Sequence, residues 1–168
     1  MYKKKPFLIV FEGVEGCGKS YQSQKLIRSL KKKGINPILT REPGGTRSAE
    51  SIRTLILKDY FNKGKEEKFD KYTDTLLYLA ARNEHIKNKI EPALKRKKVV
   101  ICDRFIDSTI AYQVYGKKVN RSFIDNIHKF ILQGIKPNLV FILKVSSKSS
   151  KLRLKKRKTK NRYDNFSQ

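Results

Sequence analysis

Gly13-Val14-Glu15-Gly16-Cys17-Gly18-Lys19-Ser20 fits the pattern G-x-x-x-x-G-K-[ST] at every fixed position. Glycines in such a turn let successive backbone N–H groups converge on phosphate oxygens. The lysine brings a point charge to the β- and γ-phosphates, and the serine hydroxyl can hold Mg²⁺. The flanking sequence suits that role. Pro6-Phe-Leu-Ile-Val-Phe11 is a short apolar run of strand type, and Leu26, Ile27 and Leu30 keep helical spacing up to Gly34. A strand, a glycine-rich loop and a helix are the setting this chemistry requires.

The chain has 168 residues, enough for one domain with a real core and too few for two ordinary ones. Its 40 Lys and Arg against 15 Asp and Glu give a net charge of +25, which raises the question of nucleic acid. The basic residues are spread through every segment, however, and 29 of the 40 are Lys, the poorer residue for forked or stacked contacts to bases. The charge is therefore read as solvated surface that attracts anionic nucleotides, and nucleic acid is not an expected partner. Cys17 and Cys102 form no C-x-x-C and no disulfide framework, so a reducing cytoplasm is expected. No run of 18 apolar residues offers a membrane span. Met1-Tyr-Lys-Lys-Lys5 leads straight into the first strand rather than into a cleavable leader.

Further along, Asn36-Pro-Ile-Leu-Thr-Arg41 reads as a second strand, and Arg41-Glu-Pro-Gly-Gly-Thr46 as a loop. Thr46, Glu50 and the series Ile52, Leu55, Ile56 suggest a capped helix, and residues 58–71 a polar surface connection. Tyr72, Leu76, Leu79, Ala80, Ile86 and Ile90 predict a long helix reaching toward Pro92. Tyr78, Arg82 and His85 line up along one side of it, either bordering a pocket or forming a solvated edge; periodicity leaves both open. Lys98-Val-Val-Ile-Cys-Asp103 is the pattern of a strand buried on both faces. Ligands of open α/β sheets bind beyond the carboxyl ends of the strands, so Asp103 and Arg104 should face the same crevice as the glycine-rich loop. An acid there can hold Mg²⁺ and an arginine can fork onto phosphate oxygens. Helical spacing returns at Phe123, Ile127, Phe130 and Ile131, and Asn138-Leu-Val-Phe-Ile-Leu143 reads as a fourth strand. Strands alternating with helices predict an α/β fold of the P-loop NTPase type, a doubly wound parallel sheet flanked by helices in one domain, 1–168. The last 25 residues hold ten Lys or Arg and one Asp, as a solvated run or a lid of about 146–165 would.

Four stretches together resemble one family, the thymidylate kinases. They are Phe11-Glu-Gly-Val-Glu-Gly-Cys-Gly-Lys-Ser20, Thr40-Arg-Glu-Pro-Gly-Gly-Thr46, Leu76-Leu-Tyr-Leu-Ala-Ala-Arg82 and Asp103-Arg-Phe-Ile-Asp-Ser-Thr-Ile-Ala-Tyr-Gln113. The resemblance implies phosphorylation of dTMP to dTDP with ATP as donor and Mg²⁺ as cofactor, in a cytoplasmic homodimer. It implies that Gly13, Val14, Glu15, Gly16, Cys17, Gly18, Lys19 and Ser20 bind the ATP phosphates. Ser20 and Asp103 would hold the metal, and Asp103 and Arg104 would clamp the phosphate between donor and acceptor. Arg41 would meet the dTMP phosphate, Tyr78 would stack on the thymine in place of the usual Phe, Arg82, Thr109 and Gln113 would complete the base site, and Ser108 and Arg104 would also bind the substrate. Tyr112 would lie under the deoxyribose and Glu15 near it.

With no arginine at positions 16 or 17, the chain resembles the bacterial members that supply lid arginines; Arg153, Arg157 and Arg162 are the candidates, with Lys19, Asp103 and Arg104 as the other catalytic groups. The family continues through a helix, a fifth strand and a C-terminal helix, so the reading expects a sheet lacking its last strand and exposing an apolar edge. Other readings are a different nucleoside monophosphate or deoxynucleoside kinase of the same fold, an inactive truncated homologue, and a basic nucleic-acid-binding protein.

Overall fold

A computed structural model describes residues 5–57 and 69–156. The strands are β1 (Phe7–Gly13), β2 (Ile38–Arg41), β3 (Val99–Asp103) and β4 (Leu139–Leu143), all parallel and ordered β2-β3-β1-β4. Each lies within a residue or two of the predicted strand. The helices are α1 (Lys19–Lys32), α2 (Arg47–Leu57), α3 (Lys71–His85), α4 (Glu91–Lys95), α5 (Ile106–Thr109), α6 (Arg121–Leu132) and α7 (Ser147–Lys155).

Alternation along β1 and β3 builds two cores. Leu8, Val10, Val100 and Cys102 point to one face and pack with Leu79, Ile86, Ile90, Ala93, Phe105 and Ile131. Ile9, Phe11, Val99 and Ile101 point to the other and meet Leu26, Ile27 and Leu30 of α1. Helices on both faces explain why these strands read as continuous apolar runs. Asn138 starts β4 in register, its side chain accepting from Leu8 N at 2.7 Å while its own N–H donates to Leu8 O at 2.8 Å.

The long helix does not stop before Pro92. A π-helical turn, Ile86–Ile90, joins α3 to α4, and Pro92 sits in the first turn of α4, where a missing N–H costs least. A second π-helical turn, Ile110–Gly116, continues α5. The buried side of α3 also differs from the apolar stripe predicted for it. Leu76 is 46% exposed while Thr75, Arg82 and His85 are buried, because these polar groups find partners inside. On α6 Phe130 is turned outward and His128 inward. β4 is an edge strand with Leu139, Phe141 and Ile142 open to solvent, although Phe141 still stacks on Phe11 with centroids 5.1 Å apart.

Candidate active site

The β1–α1 turn requires its glycines. Gly13 has φ 138°, and a Cβ there would fall 2.5 Å from Leu143 O and 2.9 Å from Cys17 Sγ. Gly18 has φ 102° and caps α1, placing the loop amides at a helix N-terminus. Lys19 folds its ammonium back over the loop, donating to Gly13 O at 2.8 Å and Val14 O at 2.9 Å. Burial first, and Arg104 next, lower its pKa, against the opposing pull of Cys17, Asp103 and Glu15. Ser20 Oγ donates to Asp103 Oδ2 at 2.8 Å, so the hydroxyl and the carboxylate stand side by side at the ends of α1 and β3.

Arg104 follows β3 in the left-handed region, φ 71°, a conformation that surrounding contacts must hold. Its backbone N–H donates to Phe11 O at 2.9 Å, Nη2 lies 2.7 Å from Glu15 Oε1, Nη1 donates to Ser108 Oγ at 3.0 Å, and the guanidinium covers the Tyr112 ring. Tyr112 OH donates to both oxygens of Glu15, at 2.6 and 2.8 Å. Burial is the main cause of a raised Tyr112 pKa. Glu12, at the end of β1, accepts from Phe105 N, Ser108 N and Ser108 Oγ and so fastens the turn that carries Arg104.

The opposite wall is a buried polar cluster. Arg82 Nε donates to Glu42 Oε2 at 2.7 Å, Nη1 to Thr109 Oγ1 and Nη2 to Phe105 O, both at 2.8 Å. Nη1 also lies 2.8 Å from His128 Nε2. His85 bridges Glu42 Oε1 (3.1 Å) and Thr40 Oγ1 (2.6 Å). Although burial alone would raise the Glu42 pKa, Arg82 and His85 hold it below the ordinary carboxylate value. Arg41 is paired with Glu50 at 3.1 Å and remains half exposed, while Arg53 Nη1 donates to Pro43 O at 2.6 Å.

A single cleft of about 860 Å³ joins these parts. Glu15, Gly16, Gly18, Lys19 and Ser20 border one end, and Arg41, Tyr78, Arg82, Asp103, Arg104, Ser108, Thr109, Tyr112, Gln113 and Arg153 border the rest. Val14 points to solvent, and Cys17 turns inward beside Lys19. Gln113 is buried with its amide nitrogen Nε2 unpartnered among the described residues, an orphan donor of the kind a ligand acceptor would satisfy. α7 closes over the glycine-rich loop: Ser150 Oγ donates to Glu15 O at 2.6 Å and Arg153 Nη1 to Gly16 O at 3.1 Å. Arg157 and Arg162 lie outside the described residues.

The structure thus brings most of the predicted residues into one cleft, but Gly13, Val14 and Cys17 do not border it. It buries His85 behind that cleft rather than on its border, and it settles the open question of the α3 polar line: Tyr78 and Arg82 face the cleft. Sequence reasoning missed Glu12, Glu42, Arg53 and His128. Glu12 and Glu42 lie inside quoted signatures, where their position beside β1 and β2 was the available signal. For Arg53 and His128 no local pattern existed.

A parallel sheet with a phosphate loop after its central strand, and an Asp-Arg pair beyond the neighbouring one, defines a P-loop nucleotide-binding α/β protein. A family model described as thymidylate kinase matches residues 11–168. Similar proteins include the thymidylate kinases of Wolbachia pipientis (45% identical, covering 95% of this chain and 73% of theirs) and Dehalococcoides mccartyi (43%, covering 86% and 67%). The crystal structure of thymidylate kinase from Ehrlichia chaffeensis superposes with a TM-score of 0.74 at 40% identity, covering 89% of this chain and 78% of that one. The chain belongs to the thymidylate kinase family.

Proposed function

We propose that this protein transfers the γ-phosphoryl group of ATP to dTMP, giving dTDP and ADP. One observation carries the reading: the glycine-rich loop and the Tyr78–Arg82–Gln113 wall border the same cleft, so two phosphate-bearing ligands can meet between Lys19, Arg41 and Arg104. A dTMP phosphate oxygen attacks the γ-phosphorus, the bond to the bridging oxygen breaks, and its electron pair leaves with ADP. The acceptor is already an oxyanion, so no general base is needed, and catalysis rests on positioning and charge.

Lys19 and the loop amides of 13–20 hold the donor phosphates. Arg104, with its left-handed backbone, sets its guanidinium between donor and acceptor, and Arg41 faces the acceptor phosphate, which would draw it from Glu50. Arg153 brings the lid's charge to the loop. Tyr78 offers a flat face to the base, and the Gln113 Nε2 donor suits one of its carbonyls. Thr109 and Arg82 form the polar floor, and Tyr112 with Glu15 borders the sugar. The neighbouring oxygens of Ser20 and Asp103 suit Mg²⁺, which typically takes one or two protein oxygens plus phosphates and water. Bound there, Mg²⁺ would neutralise phosphate charge.

Cytoplasmic location accords with two free cysteines, and among the described residues no helix is long and apolar enough to cross a membrane. A homodimer is supported by apolar groups left open on α3 and α6, among them Leu76 and Phe130. The test is an ADP-release assay over dTMP, dUMP, dCMP, dGMP and AMP, which should show dTMP turned over fastest; preference for another acceptor would overturn the substrate.

A further inference from the structure

Arg82 faces the cleft with all of its guanidinium N–H groups engaged. Nε and Nη2 lie 2.7 Å from Glu42, Nη2 also donates to Phe105 O, and Nη1 serves Thr109 and His128. Glu42 comes from the end of β2, Phe105 and Thr109 from the segment after β3, and His128 from α6. A planar guanidinium is fixed by holding two of its edges, and here Glu42 grips one edge while His128 and Thr109 share the other.

His128 is 5% exposed. Arginine can only donate, so at 2.8 Å the facing Nε2 must be the unprotonated nitrogen of a neutral ring, with the proton on Nδ1. Removing this acceptor would leave a buried charged N–H without a partner and leave Thr109 alone to hold the Nη1 edge.

We propose that His128 is a positioning residue for acceptor-base recognition: its Nε2 holds Arg82 Nη1 so that the guanidinium keeps one orientation against the base site. The proposal rests on the reading of this wall as the acceptor-base site. Neutrality of the ring supports it. Burial, and then the Arg82 charge, lower the His128 pKa to about 4, against the opposing influence of Glu42 beyond Arg82 and of Asp125 on α6; Arg121 on the same helix adds to the lowering.

The test compares His128→Leu, which keeps bulk without an acceptor, with His128→Gln, which restores one. In His128→Leu the KM for dTMP should rise about tenfold, the equivalent of about 1.4 kcal/mol for one hydrogen bond to a charged group. The KM for ATP should stay within about twofold, and the preference for dTMP over dCMP in kcat/KM should narrow. His128→Gln should recover most of the acceptor KM. The proposal is overturned if folded His128→Leu keeps the wild-type acceptor KM, if the ATP KM rises equally, or if His128→Gln is no better than His128→Leu. Should His128→Leu fail to fold, His128→Gln decides alone: near-wild-type acceptor KM supports the proposal and a tenfold rise overturns it. If the wild-type enzyme prefers a different acceptor, the dTMP reading fails, and the same comparison is read on that acceptor's KM.

Discussion

Glu42 and Arg82 lie forty residues apart in sequence and 2.7 Å apart in the fold, each side chain only 4% exposed. The pair ties the loop after β2 to α3, two of the four signatures, and so sets the distance between Arg41 and Tyr78 across the cleft.

Removing one partner of such a pair strands the other charge in the interior. Arg82→Leu should lose about 3–5 kcal/mol of stability, a fall in melting temperature on the order of 10 °C. Scanning calorimetry checks this; a fall of only a degree or two would mean that Glu42 finds another partner.

Lys19 and Glu15 share a loop, and on the proposed reading they divide its work. Lys19→Ala should lower kcat by a hundredfold or more, about the loss seen when a charge-stabilising donor is removed. Glu15→Ala removes the carboxylate that Tyr112 and Arg104 share and should chiefly raise the KM for dTMP. Initial rates with each substrate varied in turn separate the two, and an equal rise in the ATP KM for both variants would refute the division.

Gly45 has φ 92°, and a Cβ there would stand 2.5 Å from Thr40 Oγ1 and 2.6 Å from His85 Nε2. Gly34 has φ 75° with nothing within 4 Å of an added Cβ. Gly34→Ala should therefore cost only the left-handed conformation, about 1 kcal/mol. Gly45→Ala must also displace the buried Thr40–His85 pair and should cost clearly more; equal midpoints in urea unfolding would contradict this.

His128 titrates near 6.5 when unfolded and at about 4 in the fold. A depressed folded value means that the unfolded chain takes up the proton first. The stability present above pH 6.5 is then lost as pH falls toward 4. His128→Gln cannot titrate, so the wild type should lose stability relative to it as pH falls through that window. A constant difference from pH 7.5 to 4 would show that His128 does not carry the effect.

Strand positions and the phosphate loop were legible because apolar runs and fixed glycines are local signals. The face of α3 was only partly so. Its apolar spacing placed Leu79, Ile86 and Ile90 inward as they are, but it also marked Leu76 as inward, while Arg82 and His85 are buried because Glu42, Thr40 and Thr109 arrive from other elements to satisfy them. The path of the chain through Pro92 was hidden for a related reason, because a π-helical turn absorbs the break. The inward turn of His128 depends on where α6 meets α3, which periodicity does not encode.

Glu15 is gripped at both ends. Its carboxylate takes Tyr112 and Arg104, while its carbonyl takes Ser150 from α7, 135 residues on in the chain. Any preference that a donor nucleotide has for a seated α7 would therefore act on a residue that also belongs to the proposed acceptor site. Thermodynamic reciprocity then imposes a symmetry: whatever factor one ligand lends the other's affinity through this junction must be returned unchanged.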